Sequence, residues 1–313
     1  MIKEEFYFDS RDGENRIHAV RYTPDDGNVR GIVQIVHGMA EYVERYENLA
    51  EFLTKRGILV TGEDHLGHGK SVSEGGSFGY FCEQDPATVV VRDVHRLKKI
   101  TEEQYPQVPY IILGHSMGSF IVRNYLCRYG SGIDGAVIVG TGMQPAGLIF
   151  ASKAMAGIQK LFCGSKHVSH FIDKAAFGGY NKRIDSPRTS SDWLSRNTEN
   201  VDRYIEDELC GFTFTVNGFQ TLFELIRRLQ KQENLEKVPQ NLPILMVSGA
   251  EDPVGDYGKG VHKACDSLKR AGVKNITVKL YENDRHELLN EDDAETAMED
   301  IWQWICKEVP GIA

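Results

Sequence analysis

Short apolar runs and amphipathic stretches alternate along most of the chain. Lys3–Phe8 and Ile17–Tyr22 alternate apolar with polar residues, and the turn residues between them predict an antiparallel hairpin. Six further runs are typical of strands: Ile32–Val36, Ile58–Thr61, Tyr110–Leu113, Ala136–Val139, Leu242–Val247 and Ile276–Leu280. Helical spacing is found over Val43–Lys55, Thr88–Gln104, Met117–Tyr129, Tyr257–Ala271 and Ala294–Cys306. This alternation predicts an α/β protein with a mostly parallel, eight-stranded sheet and helices on both faces.

One connection is far longer than the others. About 100 residues separate the strand that ends at Val139 from the strand that begins at Leu242, well beyond an ordinary loop. The segment has apolar residues at helical spacing, among them Phe219, Leu222 and Ile226. We therefore predict a helical lid over residues 145–240, inserted into a core formed by residues 1–144 and 241–313.

Composition excludes several classes of protein. The 313 residues are 41% hydrophobic, enough for a large core, and 36 Lys and Arg against 45 Asp and Glu give a net charge of −9. An acidic chain is a poor partner for nucleic acid. No apolar run reaches membrane-crossing length, and the first residues lack a basic segment followed by an apolar one. Six scattered cysteines without a CxxC pair indicate reduced thiols, so we expect a cytoplasmic protein without a zinc site.

The pattern G-x-S-x-G occurs twice, and its context separates the two occurrences. Ser116 follows a predicted buried strand and precedes an amphipathic helix, as a nucleophilic serine on a tight strand-to-helix turn does. The flanking glycines remove side chains that would collide where strand and helix meet. Ser77 lies in a polar, glycine-rich stretch with no strand before it, which is typical of a loop. The sequence therefore predicts Ser116 as the nucleophile.

A nucleophilic serine needs a histidine base and an acid that orients it, and in this fold they follow in the order Ser, acid, His. His286 lies in the loop after the last predicted strand, whereas His262 falls within a predicted helix. Asp252 follows the strand that ends at Val247 and precedes a proline, which favours it over the neighbouring Glu251. Met117, after the serine, and Met39, after the strand Ile32–Val36, are the predicted backbone donors of the oxyanion hole.

These segments together resemble the α/β-hydrolase superfamily, and more narrowly its bacterial lysophospholipase and monoacylglycerol lipase-like serine hydrolases (the serine aminopeptidase S33-type group). The resemblance rests on five stretches: His37-Gly38-Met39, Asp64 to Ser71, the Ser116 turn, Ser248-Gly249 with Asp252 to Gly255, and His286. It implies an α/β-hydrolase fold and cofactor-free hydrolysis of a small-molecule ester through an acyl-enzyme. It also implies that Asp64 and His68 belong to a structural loop rather than to a metal site.

The apolar residues of the predicted lid indicate the substrate. Candidate acyl-binding side chains are Leu148, Phe150, Phe162, Phe212 and Phe214. We expect esters of lipophilic acids, of the monoacylglycerol or lysophospholipid type, and transient contact of the lid with lipid aggregates. Three alternatives stay open: an amidase or aminopeptidase using the lid acids Glu206, Asp207 or Glu208, a thioesterase, and a non-catalytic binding protein with the same fold.

Overall fold

Eight strands form a single sheet in the computed structural model, which describes residues 1–312. The strands are β1 (Ile2–Asp9), β2 (Arg16–Thr23), β3 (Gly31–Val36), β4 (Ile58–Glu63), β5 (Tyr110–His115), β6 (Gly135–Val139), β7 (Ile244–Gly249) and β8 (Ile276–Tyr281). Their order across the sheet is β1-β2-β4-β3-β5-β6-β7-β8. Strands β1 and β2 pair antiparallel, β2 also runs antiparallel to β4, and the other pairs are parallel. The predicted fold class is therefore confirmed.

Ten α-helices accompany the sheet within residues 1–312. They are α1 (Glu47–Thr54), α2 (Pro86–Gln104), α3 (Met117–Tyr129), α4 (Ala146–Cys163), α5 (His170–Phe177), α6 (Thr198–Glu206), α7 (Val216–Leu229), α8 (Gln232–Leu235), α9 (Lys259–Arg270) and α10 (Ala294–Glu308). The predicted helix Val43–Lys55 is in fact a short 3₁₀ turn, Val43–Tyr46, followed by α1. The backbone N–H of Val43 donates to the carboxylate of Asp64 at 2.9 Å, which fixes this turn against the loop after β4.

Apolar side chains cover both faces of the sheet. Along β3, Ile32 and Val36 belong to one core layer, whereas Val33 and Ile35 belong to the other. All residues of β3, β4, β5, β6 and β7 are buried. This explains why these strands have continuous apolar runs rather than alternating ones.

Helices α4 to α8 lie between β6 and β7. Helix α7 is tied to the loop before α2, because Asn217 at its first turn accepts the N–H of Phe81 at 2.9 Å and donates to the carbonyl of Cys82 at 2.8 Å. Helix α4 is different, since its side chains Phe150 and Phe162 are 78% and 85% exposed. Among residues 1–312, no helix is long and apolar enough to cross a membrane.

Candidate active site

Ser116 lies on a strained turn between β5 and α3. Its backbone has φ 54° and ψ −121°, a conformation that residues with a side chain rarely adopt. The N–H of Ser116 donates to the carbonyl of Val139 at 3.0 Å, and its own carbonyl accepts the N–H of Ser119 at 2.9 Å. These bonds hold the serine at the carboxyl end of β5, beside the end of β6.

Both glycines of the Ser116 pattern are needed for close backbone contact. A Cβ atom at Gly114 would lie 2.5 Å from the carbonyl oxygen of Gly118, and a Cβ atom at Gly118 would lie 1.9 Å from the carbonyl oxygen of Val36. No flexible side chain can move to relieve these collisions, because the atoms involved are backbone. The other occurrence of the pattern has a different setting: Ser77 is exposed in a turn region with neither strand nor helix next to it.

His286 and Asp252 form a buried hydrogen-bonded pair. Nδ1 of His286 lies 3.0 Å from Oδ2 of Asp252. Asp252 is 0% exposed and also accepts the hydroxyl of Ser248 at 3.1 Å on Oδ2 and the N–H of Val254 at 2.8 Å on Oδ1. The carboxylate is thus fixed from three sides and orients the imidazole. The two rejected candidates, Glu251 and His262, are both exposed.

The His286 ring and Ser116 lie at the same point of the sheet edge. A Cβ atom at Gly140 would be 3.1 Å from Cε1 of His286, so the ring packs directly on the residue after β6. Val139, the preceding residue, accepts the N–H of Ser116. Within residues 1–312, the hydrogen bond of the His286 side chain is made by Nδ1, which leaves Nε2 available to accept a proton.

The two methionines predicted for the oxyanion hole flank Ser116. Met117 is the first residue of α3, where backbone N–H groups have no partner within the helix. Met39 lies in the loop after β3, and the adjacent Gly38 is so close to the serine that a Cβ there would be 3.0 Å from that of Ser116. Among residues 1–312, neither methionine donates its N–H to a protein acceptor. Two free N–H groups next to a serine can bind a developing oxyanion when both point at the same oxygen.

The five residues predicted to bind the acyl chain occupy different environments. Leu148, Phe150 and Phe162 are 56%, 78% and 85% exposed on α4. Phe212 is half-buried and contacts the rings of Phe78 and His68. Phe214 is 0% exposed and packs among other aromatic rings, including Phe81 and Phe219. The structure therefore does not support Phe214 as a substrate contact, because its surface is already used by the protein core.

Two features of the site were missed from the sequence. The Trp193 ring, between α5 and α6, lies 5.1 Å from the His286 ring and 4.9 Å from that of Tyr180, so an aromatic wall borders the imidazole. The second feature is a group of buried charges behind Ser116, namely Glu41, Arg45, His115 and Glu287. The only local signal for the group was the i, i+4 spacing of Glu41 and Arg45, which is common on solvated helices.

The histidines of the loop after β4 are structural in this arrangement. Burial lowers the pKa of His65 to about 4 and that of His68 to about 3. Asp64 accepts the N–H of Val43 and of Lys70, each at 2.9 Å, and so closes the loop.

One cluster of possible metal ligands, formed by Glu5, His18 and Glu44, occurs in the described part of the chain. The ammonium group of Lys70 lies 2.7 Å from Glu5 and 2.9 Å from Glu44. A lysine therefore supplies the positive charge that a cation would bring.

Comparison with known proteins places this geometry among hydrolases. A family model described as serine aminopeptidase, S33, matches residues 27–293. Monoglyceride lipase from Rattus norvegicus is 27% identical over 293 residues, covering 92% of this chain and 86% of that protein. Monoacylglycerol lipase from Mycolicibacterium smegmatis is 28% identical and covers 91% and 90% of the two chains. The structure of a carboxyl esterase from Bacillus coagulans in complex with glycerol is 30% identical, covers 100% of both chains and superposes with a TM-score of 0.92.

Proposed function

Because the chain belongs to the serine aminopeptidase S33 family of α/β-hydrolases, we propose that it is a serine hydrolase that cleaves carboxylic esters of lipophilic acids. One observation carries the proposal. Ser116, on its strained turn, lies at the same sheet edge as an imidazole whose Nδ1 is fixed by the buried Asp252 and whose Nε2 is free. Nucleophile, base and orienting acid are thereby assigned to Ser116, His286 and Asp252.

The reaction follows from these positions. Nε2 of His286 takes the proton of the Ser116 hydroxyl as the oxygen attacks the ester carbonyl. The N–H groups of Met39 and Met117 stabilise the negative oxygen that forms, and the protonated imidazole then gives its proton to the leaving alcohol. In the second half of the reaction, Nε2 of His286 takes a proton from the water that attacks the acyl-enzyme and returns it to the Ser116 oxygen as the carboxylic acid leaves. No metal or organic cofactor takes part in this scheme.

Several observations support an ester rather than an aminoacyl substrate. The two curated relatives described above are named as lipases of monoacylglycerols, and the similar solved structure is named as a carboxyl esterase. An aminopeptidase needs a free carboxylate for the substrate amine. Of the lid acids, Asp207 already accepts the hydroxyl of Tyr42 at 2.8 Å and the N–H of Leu209 at 2.9 Å, whereas Glu206 and Glu208 are exposed.

We further propose that residues 145–240 act as a cap over Ser116. The exposed apolar side chains of α4, including Phe150 and Phe162, suit transient contact with lipid aggregates, from which a lipophilic ester would be taken. All six cysteines are free, in keeping with a reducing compartment such as the cytoplasm.

A substrate panel tests the proposal. We expect hydrolysis of p-nitrophenyl esters to increase from acetyl to medium chains, since each buried CH₂ contributes about 0.8 kcal/mol before ordering costs. Monoacylglycerols and lysophospholipids distinguish neutral from charged leaving groups, and aminoacyl anilides and acyl-CoA esters test the amidase and thioesterase alternatives. Ser116→Ala should abolish turnover and fluorophosphonate labelling, whereas Ser77→Ala should change neither. Faster hydrolysis of anilides than of esters, or labelling that survives Ser116→Ala, would overturn the assignment.

A further inference from the structure

Four charged side chains are buried together behind Ser116. Glu41, Arg45, His115 and Glu287 are each at most 10% exposed. They come from different segments: Glu41 from the loop that carries Met39, Arg45 from the turn before α1, His115 from the end of β5, and Glu287 from the residue after the base. Buried charges are costly unless they are paired, so this arrangement calls for an explanation beyond packing.

The partners of His115 determine its protonation state. Its Nδ1 lies 3.2 Å from Oε1 of Glu41, and its Nε2 lies 3.2 Å from the backbone carbonyl oxygen of His286. A backbone carbonyl only accepts hydrogen bonds, and so does an ionised carboxylate. A neutral imidazole carries one N–H and could make only one of the two bonds. Both bonds are made when His115 is an imidazolium.

Glu41 is held in its ionised form by donors on every side. It accepts the N–H of Gly38, the hydroxyl of Tyr46 at 2.8 Å and a guanidinium N–H of Arg45 at 2.8 Å. Although burial acts to raise it, the hydrogen bond from His115 and the charge of Arg45 hold the pKa of Glu41 well below its usual value. A carboxylate that accepts from this many donors cannot itself donate to His115.

Charge balance supports the same protonation state. Arg45 also donates two hydrogen bonds to Glu287, at 2.7 and 2.8 Å. With a protonated His115 the group contains two anions and two cations, whereas a neutral His115 would leave one excess negative charge beside the place where the oxyanion forms.

The groups that face His115 are Glu41, Tyr46, His286 and Glu287, with Arg45 beyond the two carboxylates. Burial lowers the pKa of His115, but the hydrogen bond and charge of Glu41 outweigh it and raise the pKa above the usual value.

We propose that His115 is a positioning residue: a buried imidazolium, ion-paired to Glu41, whose two N–H groups join the oxyanion loop to the loop that carries His286. Glu41 holds the oxyanion loop through the N–H of Gly38, and His115 holds the base through its backbone carbonyl. Loss of the His115 proton breaks one of these two bonds and leaves the excess anion. The catalytic part of this inference rests on the proposed function, whereas the charge state of His115 does not.

The charge state can be read directly in the whole protein by ¹⁵N NMR of ¹⁵N-histidine-labelled protein at pH 7.5, with the His115 signals identified by their absence in His115→Gln. We expect both His115 nitrogens to show the shifts of an imidazolium. In Glu41→Gln, which replaces the carboxylate by a neutral amide, we expect a neutral tautomer. A neutral His115 in the unaltered protein would overturn the proposal, whatever the Glu41→Gln variant shows.

Kinetics test the positioning role. Glu41→Gln should lower kcat about 10- to 100-fold with KM changed less than about threefold, because a displaced oxyanion donor acts mainly on the transition state. It should also move the alkaline limb of kcat to lower pH, which a merely structural defect would not do. Glu47→Gln, an exposed change on the adjacent helix, is the matched control and should leave both unchanged.

An unaltered pH profile in a folded Glu41→Gln variant would overturn the positioning role. If the unaltered protein shows no fluorophosphonate labelling at Ser116, the proposed function fails instead, and the NMR result still decides the charge of His115.

Discussion

Replacing Asp252 by Asn changes one atom of the carboxyl group, and the structure fixes which way the new amide points. The oxygen at Oδ1 must remain an acceptor because the N–H of Val254 donates to it at 2.8 Å. The new NH₂ therefore takes the place of Oδ2, which faces Nδ1 of His286 at 3.0 Å and the hydroxyl of Ser248 at 3.1 Å. The serine hydroxyl can rotate and accept, so folding should be little affected.

The histidine cannot adapt in the same way without losing its function. An NH₂ group that donates to Nδ1 places the ring proton on Nε2, the atom that must accept the proton of Ser116. A wrong tautomer of this kind lowers kcat by about 10⁴-fold, which corresponds to about 5.5 kcal/mol of barrier. We expect this loss of kcat for Asp252→Asn, measured as initial rates with a medium-chain p-nitrophenyl ester. The melting temperature of the variant should stay within a few degrees of that of the unaltered protein.

The neighbouring carboxylate provides the matched control. Glu251→Gln alters an exposed side chain next to Asp252 and should leave kcat within about twofold. A folded Asp252→Asn variant that keeps more than a tenth of the activity would refute the reasoning, and so would an equal loss in Glu251→Gln.

Three further predictions concern stability and membrane contact. Gly118→Ala should lower the free energy of unfolding, measured by urea denaturation, by more than about 4 kcal/mol, because the new Cβ would collide with the Val36 carbonyl oxygen. Gly147→Ala is the control, because Gly147 has open space around it and the change should cause no such loss. Equal effects of the two substitutions would contradict the close backbone contact at the Ser116 turn. Burial raises the pKa of Asp93 to about 7, so unfolding free energy should fall as pH rises from about 4 to 7, by at most about 4 kcal/mol from this group. Asp93→Asn should reduce the difference in unfolding free energy between pH 5.5 and pH 8, measured by urea denaturation. An unchanged difference would show that another group causes the pH dependence. Phe150→Ser combined with Phe162→Ser should reduce co-sedimentation with phosphatidylcholine vesicles severalfold while leaving hydrolysis of a soluble acetyl ester unchanged; a parallel loss of both would indicate a folding defect.

The apolar pattern was sufficient to predict the sheet. Strands with continuous apolar runs, such as Ile32–Val36, are buried on both faces, and the ends of the predicted helix Met117–Tyr129 agree with those observed. The exception was Val43–Lys55, because a tertiary hydrogen bond from the N–H of Val43 to the carboxylate of Asp64 fixes a 3₁₀ turn where helical spacing alone predicted a continuous helix. The lid residues were less predictable: apolarity alone did not separate the fully buried Phe214 from the exposed Phe162.

The sequence by itself was enough to predict a nucleophile, a base and an acid, because each candidate follows a strand and parallel strands end at one edge of a sheet. It also determined the backbone freedom that Gly114 and Gly118 provide. Only the tertiary structure decided that Trp193 borders the base and that His115 lies between Glu41 and the backbone of His286. The physical reason is that periodicity reports the exposure of a side chain within its own element, whereas the ionisation of a buried group depends on partners that are distant in sequence.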